Sequence, residues 1–382
     1  MPCLNEARTL PPCIRKALAF LARSGLSGEV LVADNGSGDG SREIARALGA
    51  RVVDVCDKGY GNALIAGIKA ARGRWVVMGD SDDSYDFGNL DGFVEALRGG
   101  AQLVMGNRFA GGIAEGAMPP LHRYLGNPVL SFIGRLLFKS PCKDFHCGLR
   151  AFDRAAIRDL ELSAPGMEFA SEMVVKAAIQ NLRIAEVPTT LTKDGRDRPP
   201  HLRSWRDGWR HLRFLFLFSP RWLFLHPGIA MFAVGLMAML ALLGGPVTIG
   251  RVGFDIGTLL YSAALTLIGW QSVLFWVCAK LHGVHEGIVP PDPAFERAMR
   301  HLSLEAVLLG SVALFLTGLT LATVSLTRWQ AAGFGMLDST HSLRLVIAAV
   351  TVMLLSVQTA YTGMFLAVLQ IRRAPMAGGA AL

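Results

Sequence analysis

Two hydrophobic rhythms divide the chain. From Met1 to about Ala185, short apolar runs alternate with stretches in which apolar side chains recur at helical spacing. That alternation predicts strands followed by helices, as in an α/β domain that binds ligands at its strand ends. Leu31-Val32-Ala33, Trp75-Val76-Val77 and Leu103-Val104-Met105 read as strands, and Ser41 to Leu48 as a helix. Beyond Pro227 the chain becomes largely hydrocarbon. Gly228–Val247, Ile256–Leu281, Leu304–Leu326 and Leu345–Ile371 are each long enough to cross a bilayer, which takes about 20 apolar residues. A single such segment reads equally as a buried core helix; four in succession predict a membrane domain.

Composition agrees. The 382 residues are 52% hydrophobic and 18% charged, with a mean hydropathy of +0.38, too apolar for an ordinary soluble protein. Lys and Arg placement predicts orientation. Without a signal peptide the N-terminal domain is expected in the cytoplasm, and four spans return Arg372 and Arg373 to that side. Lys280, Arg297 and Arg300 fall around the connection between spans two and three. The outer connections hold Arg251 in one and Arg328 and Arg344 in the other. The expectation is a multi-pass protein of the cell (inner) membrane. Six Cys without regular spacing predict reduced thiols. Cys142 and Cys147 lack a second Cys/His pair at zinc-site spacing.

The net charge of +8 has an address. Arg196, Arg198, Arg203, Arg206, Arg210, Arg213 and Arg221 interleave with Trp205, Trp209, Phe214, Phe216, Phe218 and Trp222. Arg with aromatics ahead of a span fits an interfacial helix on anionic headgroups, so the expected partner is lipid and not nucleic acid.

The chemistry gathers at strand ends. Met78-Gly79-Asp80-Ser81-Asp82 follows an apolar run directly. Acids crowded at a strand terminus repel one another unless a divalent cation lies between them, and hard cations prefer oxygen. Asp80 and Asp82 therefore read as an Asp-x-Asp metal site for a substrate carrying phosphates. An isolated D-x-D is more often a solvated turn; its company in this chain reverses that. Asp34-Asn35-Gly36-Ser37 ends another strand and opens a helix, where Asp34 could accept hydrogen bonds from a nucleobase or ribose. Lys58-Gly59-Tyr60-Gly61 places a cation and glycines near a phosphate position. Gly106-Asn107-Arg108 and Asp144…Gly148-Leu149-Arg150 each deliver an Arg, whose planar fork suits phosphate.

The ordered set, with Pro2-Cys3-Leu4-Asn5-Glu6 at its head, resembles the GT-A glycosyltransferases of family 2 across roughly Met1 to Leu225. Within them it is most similar to the dolichyl- and polyprenyl-phosphate sugar synthases. The resemblance implies a Rossmann-like α/β domain over residues 1–195, to which the basic and hydrocarbon patterns add an interfacial segment over 196–227 and a four-helix transmembrane domain over 228–382. It implies that Glu6 and Asp34, with Gly36, Ser37 and Lys58, hold a nucleotide sugar. Asp80 and Asp82 would carry Mg²⁺ or Mn²⁺ on its diphosphate, Asp82 as the direct ligand. Arg108 and Arg150 would face the acceptor phosphate or the diphosphate. Lys193, Arg196, Arg198 and Arg203 would bind the phosphate of a polyprenyl acceptor. The sequence leaves self-association open.

Three departures stand out. Relatives carry a full apolar strand before Pro-x-x-Asn-Glu, whereas Met1-Pro2 stand here, so N-terminal residues are missing or the start is assigned late. Ser84 occupies the position where many relatives place Gln after D-x-D. The segment Lys193 to Ser204 lacks the Arg followed by Gly-x-Ser-Lys of the family. Two competing readings remain: transfer to a hydroxyl of a glycolipid or polysaccharide, with Glu168 or Glu172 as base, and a transporter with a degenerate nucleotide-binding domain. The Q-x-x-R-W signature of processive synthases is absent from the N-terminal domain. The spans carry few charges of the kind a substrate pathway needs.

Overall fold

The computed structural model describes residues 1–196, 204–285, 289, 292–334 and 339–370. The chain forms two compact units, Met1–Phe218 and Ser219–Leu382.

The first unit begins with β1 (Pro2–Cys3), α1 (Leu10–Ser24), β2 (Leu31–Asp34), α2 (Ser41–Ala47), β3 (Arg51–Asp54) and α3 (Tyr60–Ala70). β1, β2 and β3 form a parallel sheet in that order, with Asp34 opposite Cys3 on one side and Asp54 on the other. The strand-and-turn reading of residues 31–48 holds: Asp34 is the last residue of β2 and is buried. β1 is two residues long and, among the described residues, pairs only with β2.

Next come β4 (Trp75–Met78), α4 (Asp91–Arg98), β5 (Leu103–Asn107), α5 (Arg108–Gly111), a π-helical turn (His122–Gly126), α6 (Asn127–Phe138), β6 (Arg150–Asp153), α7 (Arg154–Arg158), α8 (Phe169–Ile179), β7 (Ile184–Pro188) and α9 (Ser204–Leu217). β4, β6, β5 and β7 lie in that order; β6 runs antiparallel to both neighbours, and β5 and β7 are parallel. Every residue of β5 is buried, and its first three, Leu103-Val104-Met105, are the apolar run read from the sequence. β6 escaped the sequence reading because Arg150 and Asp153 bracket only two apolar residues. α6 and the turn before it also went unread.

The second unit contains a π-helical turn (Arg221–Leu225), α10 (His226–Leu243), the hairpin strands β8 (Val247–Ile249) and β9 (Val252–Phe254), α11 (Ile256–His285), α12 (Pro293–His301), α13 (Leu304–Ala331) and α14 (Ser339–Gln370). Among the described residues four helical segments are long and apolar enough to cross a membrane: Arg221–Leu243, Ile256–His285, Leu304–Ala331 and Ser342–Gln370. The first ends earlier than the expected Val247, because Gly244-Gly245-Pro246 stops the helix. α10 and α11 touch through small residues. A Cβ on Gly269 would lie 2.3 Å from the Phe232 nitrogen, and one on Gly235 2.6 Å from that of Thr266; close backbone approach of this kind drives helix association in lipid. Arg344, expected in a connection, lies within α14 and pairs with Asp255 and the Leu242 carbonyl. Arg372 and Arg373 lie outside the described residues.

Candidate active site

Two backbone loops interlock beneath the ends of β1 and β2. Asp34 Oδ2 accepts from the amides of Gly36 (3.0 Å) and Ser37 (2.9 Å), closing the glycine-rich turn. Ser37 Oγ accepts from the Asn5 amide at 2.8 Å, and Asn5 Oδ1 accepts from the Gly38 amide at 2.8 Å. Asn5 pays for this exchange with a left-handed backbone, φ 57°. Asp34 Oδ1 is buried without a hydrogen-bond partner among the described residues. A buried, unpaired carboxylate oxygen costs free energy until a donor reaches it, and a nucleobase or ribose supplies one.

Asn35 reaches the third loop: its amide donates to the Val55 and Asp57 carbonyls, and its Oδ1 accepts from the Gly59 amide at 2.7 Å. Packing by itself requires the glycines there, a role that the sequence reading did not give them. A Cβ on Gly59 would lie 2.3 Å from the Pro165 carbonyl oxygen and one on Gly61 2.0 Å from that of Ala164. Lys58 is exposed.

Asp80 and Asp82 follow β4 as expected. Asp80 Oδ1 accepts from the Tyr60 hydroxyl at 2.9 Å. Burial, and next the charge of Asp82, raise its pKa to about 6. A Cβ on Gly148 would lie 2.3 Å from Asp80 Oδ2, so only glycine at 148 leaves this carboxylate its place. Asp82 Oδ1 accepts from the Ser84 amide (3.1 Å) and hydroxyl (2.6 Å). Ser84, standing where relatives place Gln, thus orients Asp82.

The segment after β7 straps down on this pair. The amides of Thr192 and Gly195 donate to the carbonyls of Ser84 and Asp82. Arg196 Nε and Nη2 then sit 2.9 and 2.8 Å from Glu6 Oε1, and Nη1 3.2 Å from Asp82 Oδ2. Arg196, expected at the lipid phosphate, here joins Glu6 to the carboxylate pair. Lys193 is exposed; Arg198 and Arg203 lie outside the described residues.

The two remaining Arg differ in kind. Arg108 follows β5 and forms a bidentate pair with Asp144: Nε to Oδ2 and Nη2 to Oδ1, both 2.7 Å. Its Nη1 makes no hydrogen bond among the described residues. Arg150 is fully buried and donates to the carbonyls of Cys147, Ala170 and Phe145 at 2.8 to 2.9 Å. The expected phosphate contact of Arg150 is therefore corrected: all three nitrogens are spent holding the Asp144–Arg150 loop to α8. Glu172 is likewise spent, accepting from the Ser163 and Ala164 amides and pairing with Lys176 at 2.9 Å.

Among the described residues no three His, Cys, Asp or Glu side chains converge on a metal position. Two carboxylates nonetheless suit Mg²⁺ or Mn²⁺, which keep waters and take substrate phosphates as further ligands. Tyr60, Asn35 and Ser84 were missed as contributors. Only Ser84 carried a local signal, standing two residues after Asp82.

Residues 1–161 match the model for "Glycosyl transferase family 2", and residues 277–370 that for "Glycosyltransferase family 2 C-terminal transmembrane region". The low-salt glycan biosynthesis hexosyltransferase Agl6 of Haloferax volcanii is 37% identical over 339 residues, covering 88% of this chain and 81% of that protein. A dolichyl-phosphate hexose transferase of the same organism is 35% identical over 160 residues, 42% of this chain and 68% of its own length. Among solved structures, glucosyl-3-phosphoglycerate synthase from Mycobacterium tuberculosis aligns over 56% of this chain and 76% of its own, at 25% identity and a TM-score of 0.45. With its N-terminal part and the C-terminal part of its membrane region both matched, and a relative aligned over most of its length, the chain belongs to glycosyltransferase family 2, as a GT-A enzyme with a C-terminal transmembrane region.

Proposed function

We propose that the protein transfers a hexose from UDP-glucose or GDP-mannose to a polyprenyl phosphate, with inversion, at the cytoplasmic face of the cell membrane. Residues 1–195 form the catalytic domain in this reading, 196–227 the interfacial segment and 228–382 the membrane domain. The observation that carries it is Arg196, which bridges Glu6 and Asp82 and so brings a cation into a pocket of acids that a diphosphate would otherwise have to enter unaided.

Asp34 takes a donor N–H or O–H of the nucleoside on Oδ1, and Glu6 holds its other side. Asp80 and Asp82 would hold Mg²⁺ or Mn²⁺, which when bound neutralises the diphosphate as the anomeric bond breaks. Arg196 exchanges its bond to Asp82 for a diphosphate oxygen, so this guanidinium moves from the lipid assignment to the leaving group. Lys193, Arg198 and Arg203 keep the acceptor assignment. Asp144 fixes Arg108 with Nη1 open to a phosphate oxygen.

A phosphate monoester with a second pKa of about 6 is already largely dianionic at neutral pH. It attacks without surrendering a proton, so cations must place it and no general base is required. The dolichyl-phosphate hexose transferase among the relatives supports this acceptor class. A hydroxyl acceptor is the second reading, favoured by one observation: Glu168 Oε2 is buried without a partner among the described residues and is the remaining candidate base. The transporter reading is set aside, because it gives the Asp80/Asp82 pair no role.

The test is incubation of membranes containing the protein with labelled nucleotide sugars and undecaprenyl or dolichyl phosphate, then lipid extraction and NMR. The expected product is a β-linked, acid-labile phosphodiester from an α-linked donor. Sugar linked to a hydroxyl, or an α anomer, overturns the reading.

A further inference from the structure

α6 is apolar on both faces, yet among the described residues only one of them packs on protein. Inward, Leu130, Ile133 and Leu137 pack on the core that includes Phe145 and Leu215. Ser131 and Gly134 are buried between them, and a Cβ on Gly134 would lie 2.7 Å from the Phe145 ring. Outward, Leu125, Val129, Phe132 and Leu136 recur at helical spacing and are 55, 44, 61 and 48% exposed. A helix apolar all round is a buried helix, and a contiguous exposed apolar patch marks an interaction surface.

We propose that this stripe, from the π-helical turn through α6, is embedded in the interfacial layer of a lipid bilayer. Three observations select lipid as the occupant. The same chain carries four helices able to span a membrane, so a bilayer accompanies every copy. Cations flank the stripe: Arg123 lies 5.6 Å over the Tyr124 ring, and Arg135 and Lys139 are exposed, which suits anionic headgroups. The stripe is also continued by a neighbour. α6 packs on α9, whose Trp205 and Trp209 are 82 and 62% exposed, and Trp and Tyr favour the headgroup level. The basic segment around α9 is visible in the sequence; α6 is a second docking element, contributed by the catalytic unit itself.

The test uses the full chain with Cys56→Ser, which removes the exposed thiol, reconstituted in nanodiscs of equal phosphatidylcholine and phosphatidylglycerol. Nitroxide labels are placed one at a time by Val129→Cys, Phe132→Cys and Leu136→Cys, with Glu95→Cys at an exposed position of α4 as the reference. These side chains are already largely outside the core, so the labels leave the fold intact. Spin relaxation at 129, 132 and 136 is expected to respond to oxygen severalfold more than to a water-soluble nickel chelate, with the reverse at 95. Nickel accessibility at 132 equal to that at 95 overturns the proposal. Dipolar broadening between labels overturns it too, because a second copy would then be the occupant. The readout requires no catalysis, so its failure is separate from failure of the acceptor reading.

Discussion

Arg196 Nη1 lies 3.2 Å from Asp82 Oδ2, while the same guanidinium grips Glu6 through Nε and Nη2. One side chain from the strap after β7 thereby ties the first loop of the chain to the carboxylate pair after β4. Arg196→Ala should remove the guanidinium that two buried acids share and raise KM for the nucleotide sugar roughly 10- to 100-fold, the scale of a lost hydrogen bond to a charged group. KM for the lipid phosphate should change little. The opposite split, measured by varying each substrate in turn, returns Arg196 to the lipid side.

Asp82 faces Arg196 with one oxygen and is oriented by Ser84 through the other. Asp82→Asn is isosteric and should keep the fold while removing nearly all transfer, and excess EDTA should silence the wild type reversibly. Full activity of either preparation in a radiolabel transfer assay would falsify the metal assignment.

Gly148 is a spacing device for Asp80. Because a Cβ there would lie 2.3 Å from Asp80 Oδ2, Gly148→Ala should displace the carboxylate and lower kcat about 100-fold, the scale on which small misplacements at a reacting centre act. Its melting temperature should shift far less than that of a core cavity variant. Unaltered kcat means Asp80 is dispensable.

Arg150 should report as structure and Arg108 as chemistry. Arg150→Met strands three buried carbonyls and should cost on the order of 3 kcal/mol of stability, read as a lower melting temperature in detergent. Arg108→Lys keeps the charge but loses the bidentate fork to Asp144; it should lower kcat/KM with the fold retained. An Arg150→Met protein that melts normally and fails only in catalysis reverses the two assignments.

His211 links α9 to α8 through the Ser171 hydroxyl at 2.8 Å. Burial, the largest cause, lowers its pKa from 6.5 to about 4, with the Arg150 charge adding to the fall and Glu168 and Asp207 opposing it. Between those values the unfolded chain binds a proton that the folded chain does not. Stability should therefore be full above pH 6.5, fall as pH drops toward 4 and level off below, a contribution on the order of 3 kcal/mol. His211→Gln should flatten that part of a melting-temperature profile; an unchanged slope assigns the acid sensitivity elsewhere.

The local grammar of the chain determined a good deal. Short β-branched runs ending in Asp34 and in Asp80-Ser81-Asp82 specify strands whose termini carry ligand chemistry, because a strand and its following turn are set by neighbours in sequence. The hydrocarbon segments beyond Pro227 specify spans by length alone, since lipid demands self-satisfied backbone wherever the chain crosses it. What needed the tertiary structure were choices between partners far apart in the chain. Arg108 and Arg150 look alike in sequence. Only the fold delivers one to Asp144 with a nitrogen to spare and encloses the other among the carbonyls of Phe145, Cys147 and Ala170. Arg196 sits in a run of similar Arg, yet the strap carries it across 190 residues to Glu6. The outward stripe of α6 was equally illegible, because periodicity marks apolar positions but not which of two apolar faces finds the core. Spacing encodes which side chains share a helix or strand; charge pairing and burial depend on which elements the fold brings together.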